Sequence, residues 1–168
     1  MGRYRPPAAP ASPYVTPEGF LRLQEENAQL WRRRRLTTQA LADAAAEGDR
    51  SENAEYIYRK KELREIDRRI RYLQKRLPEL RVVDSRPDDE ERIFFGAWVT
   101  LEDAGGGELT YRIVGTDEFD PRHNWISVES PMARALLTRR VDEELTVETP
   151  AGRARYLIVD VRYGSTDE

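Results

Sequence analysis

Residues 44–56, AAAEGDRSENAEY, gather Glu47, Asp49, Glu52 and Glu55 around a single glycine, Gly48. Two chemistries suit such a cluster. Asp49-Arg50-Ser51-Glu52 has the form of a capping box, in which Asp49 accepts from first-turn amides of a helix and Glu52, three residues on, reaches back. Gly48 then fits the end of a preceding helix, and acids at the start of the next one complement its dipole. The same pair also suits magnesium, which is held by one or two carboxylates together with substrate phosphates and water. Asp49 and Glu52 alone are too few for a private site and enough to complete a shared one. Ser51, Asn53 and Tyr56 stand beside them and can hydrogen-bond a water or brace the turn, and bracing reads first.

The chain has 168 residues, 35% of them charged, with a net charge of only -3. The distribution is the informative quantity. WRRRRL (31–36) and the series Arg59, Lys60, Lys61, Arg64, Arg68, Arg69, Arg71, Lys75 and Arg76 make the outer stretches basic, whereas Asp43 to Glu55 is acidic. Such flanks are either a solvated helix face or a surface that lies along nucleic acid or an acidic wall. There is no cysteine, which excludes disulfides and thiolate zinc sites, and the lone His123 reads as a loop or surface residue. No apolar run approaches the length of a membrane span, and the first 13 residues lack a signal-peptide core. A disordered tail and a cytoplasmic location are expected.

The elements that must position the acids are two helices. Thr16 can cap, Pro17 suits the first helical position and Glu18 complements the dipole, which predicts a helix from Thr16 to about Glu47. Phe20, Leu23, Leu30, Leu41 and Ala44 share one heptad seam, interrupted by Asn27, Arg34 and Thr37. In the second stretch Leu63, Ile66, Ile70, Leu73 and Leu77 form a cleaner stripe, and Pro78 ends or kinks the helix. A short break at residues 48–50 favours an antiparallel hairpin. A helix of roughly 30 residues makes a rod on the order of 45 Å long, and the small residues of ALADAAAEG predict a slender tip. A thin rod with acids at its end suits insertion into a negatively charged space that holds a metal ion.

Beyond DSRPDDEE the period changes to two. FFGAWVTLE, ELTYRIVG, WISVES, LTVETP and RARYLIVDVRY read as strands, with Gly105 to Gly107 at a hairpin turn. In SPMARALL, Ser130 can cap and Pro131 can open one short helix. About 80 residues suffice for a core of their own.

Taken in order, GDRSENAEY, KKELREIDRRIRYL, FFGAWV, YRIVG, ISVESPMARALL and TPAGRARYLI resemble the Gre transcript cleavage factors of bacterial RNA polymerase, from about Tyr14 to Tyr163. Arg50 and Ser51 set the turn nearer to one of that family's two branches. The resemblance implies an α+β chain: a tail at 1–13, an N-terminal antiparallel coiled-coil hairpin at 14–83, a linker at 84–92, and at 93–164 an FKBP-like antiparallel sheet with one short helix. It implies that the globular part docks on the rim of the polymerase secondary channel through Glu129, Ser130 and Pro131 while the coiled coil threads the channel toward the 3′ segment of the nascent RNA. Asp49 and Glu52 are then the catalytic acids, holding a Mg2+ ion shared with the polymerase and not tightly bound by the isolated protein. The polymerase cleaves its own backtracked transcript, and the factor is not itself an enzyme. Arg32, Arg33, Arg34 and Arg35 are the residues expected to face RNA, in a monomer without membrane contact. Two other functions compete. A channel-binding regulator without cleavage activity would be marked by a rearranged turn, and retention of both acids counts against it. A peptidyl-prolyl isomerase would need Phe94, Phe95, Trp98, Tyr111, Trp125 and Tyr156 to line a pocket, but aromatics in strands are more often core and a fold does not carry an activity.

Overall fold

The computed structural model describes residues 10–48 and 53–165. They form two units, one helical over Phe20–Leu80, the other made of the described residues up to Gly19 and from Arg81 onward. No described helix is long and apolar enough to cross a membrane.

Helix α1 spans Pro17–Ala46 and α2 spans Ala54–Arg76. As expected, Thr16 caps α1, its Oγ1 accepting from Gly19 N at 3.1 Å. Pro78 lies in a 3₁₀ turn, Leu77–Glu79, immediately after α2, where a residue without an N–H cannot continue the helix. The two helices are zipped antiparallel by ion pairs. Arg69 grips Glu26 through two bonds of 2.6 and 3.0 Å, Arg33 places Nε and Nη2 on Glu62 Oε1 at 3.1 and 2.8 Å, and Arg34 Nε meets Asp67 Oδ1 at 2.6 Å. The stripe on α2 is rotated slightly from the expected one. Ile66, Ile70 and Leu73 are buried as predicted, but Glu62 and Arg76 are buried where Leu63 and Leu77 were expected, and those leucines are half-buried. The reason is visible at Glu62, whose pairing with Arg33 turns that position toward α1. On α1 the polar interruption Thr37 is buried alongside Leu23 and Ala44.

In the other unit, strands β3 (Trp98–Asp103), β4 (Glu108–Val114), β5 (Trp125–Ser127), β6 (Glu144–Thr149) and β7 (Gly152–Arg162) form one sheet in the order β5-β4-β3-β7-β6. A single short α-helix, α3 (Pro131–Leu136), contributes Ala133 and Leu136 to a core with Ile93, Val99, Leu101, Ile113, Leu145, Val147 and Ile158. Three of the four pairings are antiparallel, but β5 runs parallel to β4, so the sheet is mixed where an all-antiparallel one was expected. The connection explains it. Two 3₁₀ turns, Thr116–Glu118 and Pro121–His123, loop the chain back so that Trp125 pairs with Arg112 and β5 runs alongside the last three residues of β4 in the same direction, which a tight hairpin would not do. The β3–β4 turn is the predicted glycine turn, with Gly106 at φ +82° and Asp103 Oδ1 accepting from both Gly105 N and Gly107 N at 2.9 Å.

The start of the chain is built into this unit. A short strand β1 (Tyr14–Val15) pairs in parallel with β2 (Arg81–Val82). The buried Glu118 carboxylate accepts from Thr16 N at 3.0 Å, Gly115 N at 2.6 Å and the Thr16 hydroxyl. Gly19 lies so close that a Cβ there would fall 1.8 Å from Glu118 Oε1, so glycine is required by space rather than by backbone angle. Next to it, Arg112 is buried with its guanidinium 5.0 Å from the rings of both Trp98 and Trp125, and its Nη2 donates to Glu18 at 3.2 and 3.3 Å. Partial burial pushes the Glu18 carboxyl up, but its own backbone N–H and Arg112 more than offset this and hold it below the usual value.

Removing the Glu118 carboxylate strands three buried donors, so Glu118→Ala should lower stability by about 3 kcal/mol or more in chemical denaturation. Gly19→Ala should cost roughly 1–3 kcal/mol in the native background through overpacking. In the Glu118→Ala background the same change should be neutral or stabilising, because the clash is gone and alanine favours a helix.

Candidate functional site

The approach to the acidic turn is defined from both sides. Helix α1 ends at Ala46, and Gly48 follows at φ +144°, a conformation L side chains rarely adopt. On the far side the cap of α2 is Asn53, not Asp49 as the capping-box reading had it. Its Oδ1 accepts from Tyr56 N at 3.1 Å, while its Nδ2 donates to Ala44 O of α1 at 2.7 Å. One amide therefore caps α2 and ties it to the end of α1. Asparagine does both because it carries an acceptor and a donor, which aspartate lacks. The α2 helix starts at Ala54, so the first-turn amides are too far along the chain for Asp49 to be their cap. Asp49, Arg50, Ser51 and Glu52 lie outside the described residues, between these two anchored ends. Tyr56 is half-buried, with Lys60 Nζ 5.8 Å from its ring.

Four consecutive arginines on a helix cannot share a face, since each residue turns the direction by about 100°. Arg33 and Arg34 reach across to Glu62 and Asp67, Arg32 bonds Glu25 at 3.0 Å, and Arg35 is exposed with no ion pair among the described residues. The hub of this region was not singled out from sequence. Glu62 is only 9% exposed and takes Arg33 on one oxygen and Arg59 on the other at 3.0 Å. A glutamate on the margin of an apolar stripe, opposite a run of arginines, is the signal that marks it. Desolvation raises its carboxyl, but hydrogen bonds from Arg33 and Arg59 and their charges outweigh this and hold it below the ordinary value.

The second candidate region is the loop into α3. Ser130 caps the helix, its Oγ accepting from Ala133 N at 3.1 Å, with Pro131 at the first position as expected. Ser127 Oγ accepts from Glu129 N at 3.1 Å, and Ser127 O from Ser130 N at 2.9 Å. Glu129 and Pro131 are exposed and Ser130 half-buried. The Glu129 carboxylate also accepts from the backbone of Ser12, a contact that the Pro-rich composition of the N-terminal segment gave no means of foreseeing. His123 is exposed, as expected, with Nδ1 2.7 Å from Asp120 Oδ2. The strand aromatics are packed: Trp98 and Trp125 meet edge to face at 6.5 Å and enclose the Arg112 guanidinium between them, while Tyr111 and Tyr156 lie against the core.

A helical hairpin joined by an acidic turn, followed by a curled sheet with one short helix, defines a recognisable class. Residues 13–82 match the family model described as "Transcription elongation factor, N-terminal", and residues 88–163 match "Transcription elongation factor, GreA/GreB, C-term". The chain belongs to the GreA/GreB family of transcription elongation factors, accessory factors rather than catalysts in their own right. Within that family its likeness is to transcription elongation factor GreB. It is 59% identical to the GreB of Xanthomonas axonopodis pv. citri over 98% of this chain and 99% of that one, and 56% identical to the GreB of Pseudomonas aeruginosa over 97% and 98%. Among solved structures, Gfh1 of Thermus aquaticus is 30% identical, covering 92% of this chain and 100% of that one at a TM-score of 0.42.

Because Glu62 has a depressed folded value, its contribution is complete above the ordinary glutamate value of 4.5 and is lost as pH falls through the lower folded value. Acid titration of helicity should show the wild type losing stability in that range and Glu62→Gln showing a flatter profile. Identical profiles would remove Glu62 from its role as hub.

Proposed function

We propose that the hairpin enters the secondary channel of bacterial RNA polymerase and stimulates endonucleolytic cleavage of backtracked nascent RNA, releasing arrested complexes. The observation that carries this reading is the joining of the two helices next to the turn, where α1 ends before Gly48 at φ +144° and the Asn53 amide bridges to Ala44 O. Asp49 to Glu52 follow Gly48 and precede Asn53 in the sequence, so the acids belong to the connection between α1 and α2.

Asp49 and Glu52 contribute hard anionic oxygens, the donor type magnesium takes, in a number that fits an ion whose other ligands are phosphate and polymerase groups. Among the described residues no group of three or more His, Cys, Asp or Glu is placed to hold a metal ion. When bound, Mg2+ supplies Lewis-acid stabilisation of the charge that develops as water displaces an RNA oxygen. Asp49 and Glu52 orient that shell, and the roles left to Ser51 and Tyr56 are to brace the turn or bond the water. Glu129, Ser130 and Pro131 form the docking loop on the channel rim. Of the four arginines, Arg35 has its charge free of an ion pair among the described residues and is the best placed to meet the RNA 3′ segment; Arg33 and Arg34 serve first as staples. The factor acts as a cytoplasmic monomer.

Asp49→Ala or Glu52→Ala should cut stimulated cleavage in stalled complexes by ~100-fold or more, the scale of losing one preorganised electrostatic contact, with polymerase affinity nearly unchanged. Arg35→Glu should weaken the response to long backtracked RNA more than to short. Unaltered cleavage by the Asp49 variant would leave a channel-binding regulator as the better description.

A further inference from the structure

The Glu129 side chain is held from the opposite end of the chain. Ser12 N donates to Glu129 Oε1 at 2.8 Å across 117 residues of sequence. Ser12 is itself fixed by the residues directly after it. Pro13 O accepts from Arg81 N at 2.7 Å, Tyr14 and Val15 pair with β2, Val15 O accepts from Val83 N at 2.9 Å, and the Tyr14 ring packs on Phe95 with centroids 5.9 Å apart. Pro13 adds a restricted backbone next to the donor.

The loop around Glu129 is pinned at its backbone, through Ser127 Oγ on Glu129 N, Ser127 O on Ser130 N and Ser130 Oγ on Ala133 N. Those bonds fix backbone and serine hydroxyls and do not restrain the Glu129 side chain. A glutamate is long, and ordering it on binding costs rotamer entropy. One oxygen of Glu129 takes the Ser12 amide. A carboxylate has about four acceptor positions, so the bond leaves capacity for an incoming cation while fixing where that capacity points.

We infer that Ser12 is a positioning residue for docking: its backbone N–H, delivered by the strand that begins at Tyr14, preorganises Glu129 to receive a basic group of the polymerase rim. This rests on the docking role proposed above for Glu129. Ser12 is thereby part of the docking surface.

The test compares full-length Ser12→Pro, which removes the donor, with Ser12→Ala, which keeps it and removes only the hydroxyl. Each is assayed for factor-stimulated cleavage as a function of factor concentration, together with Glu129→Ala and the Ser12→Pro/Glu129→Ala double variant. The expected result for Ser12→Pro is a half-maximal concentration about threefold to tenfold higher, the scale of ordering one rotamer-rich side chain, with the saturating cleavage rate unchanged. Ser12→Ala, which loses only the long 3.5 Å bond that the hydroxyl accepts from Tyr14 N, should lie nearer to wild type than Ser12→Pro does, and Ser12→Pro should add nothing in the Glu129→Ala background. Weakening by Glu129→Ala with no effect of Ser12→Pro overturns the positioning role and leaves the docking reading standing. No effect of Glu129→Ala overturns the docking reading itself, and the positioning role with it. Tighter binding by Ser12→Pro also overturns the inference, since the amide would then be competing with the polymerase. Circular dichroism and thermal melts of each variant separate these outcomes from misfolding; if Ser12→Pro is unfolded, truncation to begin at Pro13 removes the same donor and is read by the same criteria.

Discussion

Ion pairs between neighbouring helices fix the register on which the proposed action depends. The apolar seam of α1 is interrupted by Asn27, Arg34 and Thr37, and the stripe it meets on α2 carries a buried Glu62 and Arg76. Such a seam is poor at choosing one register over another. The pairs Glu26–Arg69, Arg33–Glu62 and Arg34–Asp67 make the choice, because a slip of one turn moves each partner by about 5.4 Å and breaks all three. As partly exposed pairs they contribute little to stability individually, on the order of 0–1 kcal/mol each. Their value lies in specificity, as with polar groups that set the register of coiled coils. Asn53 completes the device where the seam narrows to alanine, bonding Ala44 O directly.

The globular unit uses a different device for a related purpose. It holds the first turn of α1 with one buried carboxylate and one buried guanidinium, Glu118 on Thr16 and Arg112 on Glu18. Both ends of α1 thus finish in side chains that bond backbone or charge from elsewhere in the fold, so neither end is left to fray on its own propensity. The Arg112 guanidinium is buried 5.0 Å from the rings of both Trp98 and Trp125, so these indoles pack against a charge as well as against each other.

Local rules carried the sequence reading a long way. Thr16, Pro17, Pro78, Ser130 and Pro131 act where caps and breakers should, because these effects depend on one or two neighbours. Strand alternation and the glycine turn were legible for the same reason. What was not legible depends on distant partners. Glu118, Arg112, Gly19 and Ser12 look unremarkable in one dimension, and their roles exist only because Thr16, Glu18 and Glu129 are brought to them. The cap of α2 was misplaced by four residues because the Asp-x-x-Glu spacing satisfies a local rule, whereas Asn53 wins through a bond to another helix. The parallel placement of β5 was likewise hidden in a long connection whose direction the strand pattern does not encode.

The central claim is that two turn carboxylates complete a metal shell in another protein's active centre. Titrating magnesium in a cleavage assay on backtracked complexes tests it most directly. The account predicts that the factor lowers the magnesium concentration needed for half-maximal cleavage, and that the Asp49→Ala/Glu52→Ala double variant restores the requirement of polymerase alone. A magnesium dependence that is the same with the factor, without it and with the double variant would contradict it.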